Sequence, residues 1–168
     1  MVEQYQIMCI PGGFSYGDDV AAGRIFANQL RSQLADVMHE FKNSDKLILG
    51  ICNGFQVLIK SGLLLEDDAQ GDPPATLCWN NHGLYEDRWV TLQNSTDKCV
   101  FLRGVQQVYL PIAHAEGKFV MRDQQVADQL ESNQQLALRY VNADGAPADG
   151  FPENPNGAQR NVAGVCDD

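Results

Sequence analysis

Basic residues are scarce: 12 Lys and Arg stand against 22 Asp and Glu, a formal net charge of −10 over 168 residues. A chain this acidic repels phosphate backbones, so a nucleic-acid partner is not expected. No stretch approaches the roughly 20 apolar residues that span a bilayer, so no membrane association is expected either. The opening Met1-Val-Glu-Gln-Tyr5 lacks the basic and apolar stretches of a secretion signal, and the expectation is a cytoplasmic protein. Cysteine is sparse and ill-spaced for bridging. Cys9, Cys52, Cys78, Cys99 and Cys166 are odd in number and contain no CxxC pair. That pattern argues against a disulfide framework and against a zinc site, and reduced thiols with no bound metal are expected. Nothing resembles the Gly-rich loop and lysine of a P-loop, so no nucleotide is expected in this chain.

What the sequence does contain is a core. Hydrophobic residues make up 44% of it and are spread along the whole length. That suits one packed domain over residues 1–168, with no internal repeat and no evident boundary.

The order of elements points to an α/β fold. Tyr5–Ile10 is a short apolar run stopped by Pro11-Gly12-Gly13, which reads as a buried strand and a turn, with Cys9 in the core. A loop follows, ending at Asp18 and Asp19, residues suited to capping a helix. From Val20 to Phe41 apolar residues recur at three- and four-residue steps, the mark of one amphipathic helix that Asn43 could end. Lys46–Ile51 is a second strand, and Asn53–Ser61 a helix with Gly62 placed to close it. Residues 66–75 form an acidic surface loop. Further strands are expected at 88–93, 99–102, 107–112 and 136–141, a helix at 124–132, and a long loop over 143–161. Strand, helix, strand, helix implies parallel pairing through crossovers, while the dense strands of the second half extend that sheet or form an antiparallel annex.

The chemistry concentrates at Gly50-Ile-Cys52-Asn-Gly54, where an apolar strand runs straight into a helix. This is the layout of a nucleophile elbow, with cysteine in place of the more familiar serine. Small neighbours let the helix pack close to the sheet, and the central side chain projects from the carboxyl edge of the strand. A thiol at the amino end of a helix faces partial positive charge, which favours thiolate. A thiolate can attack an amide carbonyl and form an acyl-enzyme. The resulting oxyanion needs N–H donors, and Asn53, Gly12 and Gly13 are the candidates. Glycine suits the last two because it lets the backbone approach closely. The competing reading makes Cys52 a small buried hydrophobe, the usual state of a free cysteine. Among the remaining candidates, His39 is expected to be solvated on its helix, and His82 to lie in a loop. Asn94-Ser-Thr96 matches a glycosylation sequon that a cytoplasmic protein would not use.

Gly50-Ile-Cys-Asn-Gly-Phe-Gln56 resembles the nucleophile motif of class I, triad-type glutamine amidotransferases. Other segments are similar to one branch of that family, the glutaminase subunits of phosphoribosylformylglycinamidine synthase. They are Ile10-Pro-Gly-Gly-Phe-Ser-Tyr-Gly-Asp18, Cys78-Trp-Asn with Glu86-Asp-Arg-Trp89, Leu110-Pro-Ile-Ala-His-Ala-Glu-Gly117, and Asn154-Pro-Asn-Gly157 leading to Asn161-Val-Ala-Gly164. The match is collinear and covers nearly the whole chain. It implies a three-layer, flavodoxin-like α/β fold with an open, mostly parallel sheet. It also implies that Cys52 releases ammonia from glutamine, with Gln56 and His114 serving the substrate pocket beside the oxyanion donors. A separate synthetase subunit would use that ammonia to convert formylglycinamide ribonucleotide to the amidine, with ATP and magnesium held by that partner. A small third subunit often bridges the two.

The family pattern has a strand and helix before the segment that starts at Met1. It ends with a His-Pro-Glu motif beyond Asp168 that supplies the base and its carboxylate. The expectation is therefore a domain incomplete at both termini, and a chain of this length that aggregates when alone. The alternative is a catalytically incomplete docking module lacking that base. His114 and Glu116 imitate the base and carboxylate by standing two apart, but they match a different, earlier segment of the family, which assigns His114 a supporting role. A weaker rival is another cysteine-elbow protein of the DJ-1-like kind, which lacks the Gly54-Phe-Gln56 continuation.

Overall fold

Strand β1 (Ile7–Ile10) lies parallel to β2 (Leu47–Gly50), with Ile7 opposite Leu47 and Ile10 opposite Gly50. Parallel neighbours need a long crossover. Here α1 (Arg24–Gln33) and α2 (Ala35–Asn43) supply it, and α3 (Asn53–Ser61) follows β2 directly. The computed structural model describes residues 4–18 and 20–167. Two compact units emerge, Met1–Pro73 and Pro74–Asp168.

The first unit is held by one apolar cluster. Ile10 from β1, Ala27 and Leu30 from α1, Met38 from α2, and Val57 and Leu58 from α3 are buried together with Leu63. Burying a side chain of this size fully stabilises by about 1.5–3 kcal/mol, so the cluster is what fastens the helices to the two strands. Only one face of β1 joins it. Met8 and Ile10 point toward the helices, so strand alternation turns Ile7 and Cys9 the other way, and both are exposed. Cys9 is thus not a core residue.

The expected single helix over Val20–Phe41 is two helices. Gly23 adopts a left-handed φ of 72° just before Arg24, which delays the start. Leu34, at φ −128°, then divides α1 from α2. The break leaves the apolar stripe intact, since Leu30 and Met38 still bury on the same cluster. Asp18 does not cap α1 in the usual way, although its Oδ1 accepts from Gly23 N at 3.1 Å. Asp19, the other expected cap, lies outside the described residues. Asn43 does end α2, and Gly62 closes α3 with a left-handed φ of 75°.

The second unit is built from antiparallel strands. β3 (Ala75–Cys78) pairs with β6 (Lys118–Met121). A second sheet runs in the order β5-β4-β7-β8, formed by β4 (Glu86–Asn94), β5 (Gln107–His114), β7 (Leu138–Val141) and β8 (Val162–Gly164). The α/β class is therefore as expected, but a mostly parallel sheet is not what the described strands form, because only β1 and β2 are parallel. The reason lies in the connections. The second unit has one α-helix among its described residues, α4 (Gln124–Ser132), and it joins β6 to β7, which belong to different sheets. Residues 99–102, expected to be a strand, make a 3₁₀ turn at Val100–Leu102 in which Leu102 N donates to Cys99 O. The core here includes Leu77, Val90, Leu92, Phe119, Leu130, Leu136 and Val162. No helix among the described residues is long and apolar enough to cross a membrane.

Candidate active site

The elbow is present in the first unit. Cys52 sits between β2 and α3 at φ 54° and ψ −111°, a conformation that side-chain-bearing residues rarely adopt. Strain of this kind costs on the order of 1–3 kcal/mol and persists only where the surroundings impose it. The surroundings here are tight. A Cβ on Gly54 would collide with the Ile10 carbonyl oxygen and lie 2.6 Å from its carbon. A Cβ on Gly50 would lie 2.6 Å from both the Gly54 oxygen and Leu58 Cδ1. Glycine at both positions lets α3 press against the strand ends, and the turn between them is then forced. Its backbone is closed by Ile51 N to Ile10 O, Gly54 N to Ile51 O, and Gln56 N to Cys52 O, all between 2.9 and 3.1 Å.

The result is an accessible thiol, because Cys52 is exposed rather than enclosed among apolar side chains. Gly12 stands next to it: a Cβ there would be 3.2 Å from Cys52 Cβ and 3.8 Å from Sγ. Gly13, at φ 140°, has open space where a side chain would be. Asn53 is the first residue of α3, where a helix leaves its N–H groups without intrahelical partners. Gly12 thus lies beside the sulfur, and Asn53 follows Cys52 directly in the chain at the start of α3.

Asn53 and Gln56 turn their side chains away from solvent, at 4% and 6% exposure. Asn53 Nδ2 donates to Gln56 Oε1 at 3.0 Å and to Asp18 Oδ1 at 3.1 Å, while its Oδ1 accepts from Ser15 N at 3.4 Å. Gln56 is therefore part of the scaffold under the elbow. Asp18, expected only as a helix cap, belongs to the same network. Sequence alone could not pair it with a residue 35 positions later, although its place in the Gly-Gly-Phe-Ser-Tyr-Gly-Asp segment marked the loop.

His114 belongs to the second unit, at the end of β5. Its partner is Asn80, which is 2% exposed. Asn80 Nδ2 donates to the carbonyls of Leu84 and His114, each at 2.9 Å. Both amide protons are thus committed, and Oδ1 must act as the acceptor. It takes Gly117 N at 3.3 Å and faces His114 Nδ1 at 3.1 Å. His114 therefore donates from Nδ1, and the neutral ring presents the Nε2 lone pair. Burial holds its pKa below the ordinary 6.5, opposed by a backbone hydrogen bond and by Glu86. Asn80 was not singled out from the sequence, although Cys78-Trp-Asn carries part of the resemblance. Beside it, His82 Nε2 lies 3.3 Å from Glu86 Oε2, and Arg88 pairs with the same carboxylate. Among the described residues no group of three or more His, Cys, Asp or Glu is placed to hold a metal ion.

The chain is similar to several known proteins. The chain is 45% identical over 165 residues to phosphoribosylformylglycinamidine synthase subunit PurQ of Methanococcus maripaludis strain S2, covering 97% of this chain and 60% of that protein. It is 42% identical over 166 residues to the protein of the same name from Dehalococcoides mccartyi, covering 98% of this chain and 63% of the relative. The chain thus spans about three fifths of the length of these curated relatives. Among solved structures, that of PurLQS from Thermotoga maritima matches with a TM-score of 0.74 at 29% identity, covering 99% of this chain and 65% of the other. The family model of the CobB/CobQ-like glutamine amidotransferase domain matches residues 1–168, and the chain belongs to that family.

Proposed function

We propose that the protein is a glutaminase subunit that uses Cys52 to release ammonia from glutamine. The observation that carries this reading is the strained, exposed Cys52 at the amino end of α3 with glycine backbone packed against it. The Cys52 sulfur attacks the side-chain carbonyl carbon of glutamine, and the oxygen becomes a tetrahedral oxyanion. The N–H of Asn53, with that of Gly12 or Gly13, donates to it. As the intermediate collapses, the leaving nitrogen takes up the proton given up by the Cys52 thiol and departs as ammonia, leaving a γ-glutamyl thioester that water hydrolyses to glutamate and free thiol. No metal is needed for these steps. His114, in the second unit, keeps a neutral ring whose Nε2 can accept a hydrogen bond.

The ammonia has a destination suggested by the relatives. We assign it to a separate synthetase subunit that converts formylglycinamide ribonucleotide to the amidine in purine biosynthesis, with ATP and magnesium bound by that partner and a small third subunit bridging the two. The relatives named PurQ and the PurLQS structure support this reading. A cytoplasmic site of action fits such a pathway.

The test is peptide-level mass spectrometry after treating the full-length protein with a chloroketone analogue of glutamine. The expected result is a single adduct at Cys52 that excess glutamine suppresses, and loss of glutaminase activity in Cys52→Ala. No adduct at Cys52, together with unchanged activity of Cys52→Ala, would refute the proposal.

A further inference from the structure

The buried polar cluster beneath the elbow has a role beyond holding the fold. We infer that Asp18 is a positioning residue for the Cys52 chemistry, acting through the side chain of Asn53 to aim the Asn53 N–H. The inference rests on the glutaminase reading above.

Asp18 is brought into place by backbone strain. Tyr16, Gly17 and Asp18 hold φ values of 56°, 68° and 53°, a run of left-handed residues in which only the middle one is glycine. That run swings the carboxylate back under the first turn of α3. Its Oδ1 accepts from Asn53 Nδ2 at 3.1 Å and from Gly23 N at 3.1 Å, and its Oδ2 lies 3.5 Å from Asn53 Nδ2. Asn53 completes the link with Gln56 Oε1 and Ser15 N. Both polar atoms of one side chain are thus fixed, one by the loop backbone and the other by Asp18 and the next turn of α3.

Helix attachment alone does not require this arrangement. Val57, Leu58 and Ile59 already bury α3 against its neighbours. The polar contacts converge instead on the residue whose N–H follows the nucleophile. Pinning its side chain on two sides restricts rotation of the Cys52–Asn53 peptide. That peptide carries the proposed oxyanion donor, and such a donor acts by being aimed before charge develops. The same carboxylate ties the segment after Gly12 and Gly13 to α3, so both sets of donors are referenced to one side chain.

Two substitutions separate this role from mere folding. Asp18→Gly removes the carboxylate while accepting the left-handed backbone without strain. Asp18→Asn keeps an Oδ1 that can accept from both Asn53 and Gly23, in a residue that tolerates this conformation. The full-length protein is treated in parallel with the chloroketone analogue, whose carbonyl oxygen uses the oxyanion donors, and with iodoacetamide, whose substitution at carbon does not. Alkylation of exposed Cys9 by iodoacetamide is the internal reference.

For Asp18→Gly the expected result is a Cys52 rate with the analogue lowered about tenfold or more, since losing one oxyanion donor outright costs about 10²–10³. Its iodoacetamide rate at Cys52, relative to Cys9, should stay within about threefold of wild type, which is less than half a tenfold step in free energy. In hydrolysis, kcat should fall while KM for glutamine holds, and Asp18→Asn should restore most of the loss. Equal slowing with both reagents, no slowing in Asp18→Gly, or failure of Asp18→Asn to rescue would each overturn the inference while leaving Cys52 as nucleophile. Failure of wild type to react with the analogue at Cys52 would instead overturn the glutaminase reading.

Discussion

Gly54→Ala is the sharpest probe of how the elbow is made. The added Cβ would lie 2.6 Å from the Ile10 carbonyl carbon and 3.1 Å from Ile10 Cβ, besides colliding with the carbonyl oxygen. Ordinary carbon contacts fall near 3.5–4.0 Å, so α3 must retreat by about 1 Å. The obstacle is strand backbone and cannot rotate aside, which places the overpacking cost near the top of its usual range, about 3 kcal/mol. Alanine recovers at most about 1 kcal/mol through its better helix propensity. A net loss of about 2 kcal/mol lowers the melting temperature by about 4–8 °C in a chain of this size. The effect on chemistry is larger than stability alone would suggest, because a shift of about 1 Å at the reacting group costs about 10²-fold in rate. Circular dichroism melts and the rate of Cys52 labelling by the glutamine analogue measure the two effects. A variant that melts within about 1 °C of wild type and labels at the wild-type rate would show that close approach of α3 to β1 does not create the elbow.

Three further outcomes are expected. Cys52→Gly should abolish glutamine hydrolysis yet melt higher than Cys52→Ala, since glycine relieves the strain at φ 54° that alanine retains; equal melting temperatures would contradict it. For His114, burial depresses the folded pKa below 6.5, so its contribution to stability is complete above pH 6.5 and declines as pH falls toward the folded value. Denaturant titrations across that range should show a slope that His114→Asn flattens, and an unchanged slope would refute the burial argument. Tyr140 is pushed up to about 12 from 10.0 by burial, with Asn156 Nδ2 donating to its hydroxyl oxygen at 3.0 Å. Folding should therefore weaken by about 2–3 kcal/mol as pH rises from 10 to about 12. Tyr140→Phe should remove that dependence while lowering neutral-pH stability by about 1–2 kcal/mol, and alkaline unfolding curves identical to wild type would contradict it.

The stretch from Lys46 to Gly62 was legible in the sequence because each signal there is local. An apolar run gives β2, glycines flank the cysteine, and a left-handed glycine closes α3. The break at Leu34 was hidden because leucine fits the apolar step pattern, and only its backbone angle interrupts the helix. Cys9 read as core because alternation shows which residues share a face, not whether anything covers that face. β3, β6 and β8 are three or four residues long, and unlike the equally short β1, β2 and β7 they lack an apolar run that extends past the strand to mark them. The antiparallel pairing of the second unit follows from partners far apart in the chain, such as Cys78 with Lys118. At the site, Cys52 and the glycines that flank it could be named from spacing. The Asp18–Asn53 link could not, because it depends on left-handed backbone at Tyr16 and Asp18, where no residue type demands it.

Asn53 and Asn156 each precede a glycine, the sequence context in which asparagine ages fastest, by attack of the next peptide nitrogen on the side-chain carbonyl to give a succinimide. At Asn53 that nitrogen donates to Ile51 O, and the side chain is held by Asp18, Gln56 and Ser15. At Asn156 it donates to Asn154 Oδ1, and the side chain is tied to Gly117 and Tyr140. Spontaneous deamidation at either bond must wait for local opening, so the network under the elbow also sets the chemical lifetime of the residue beside Cys52.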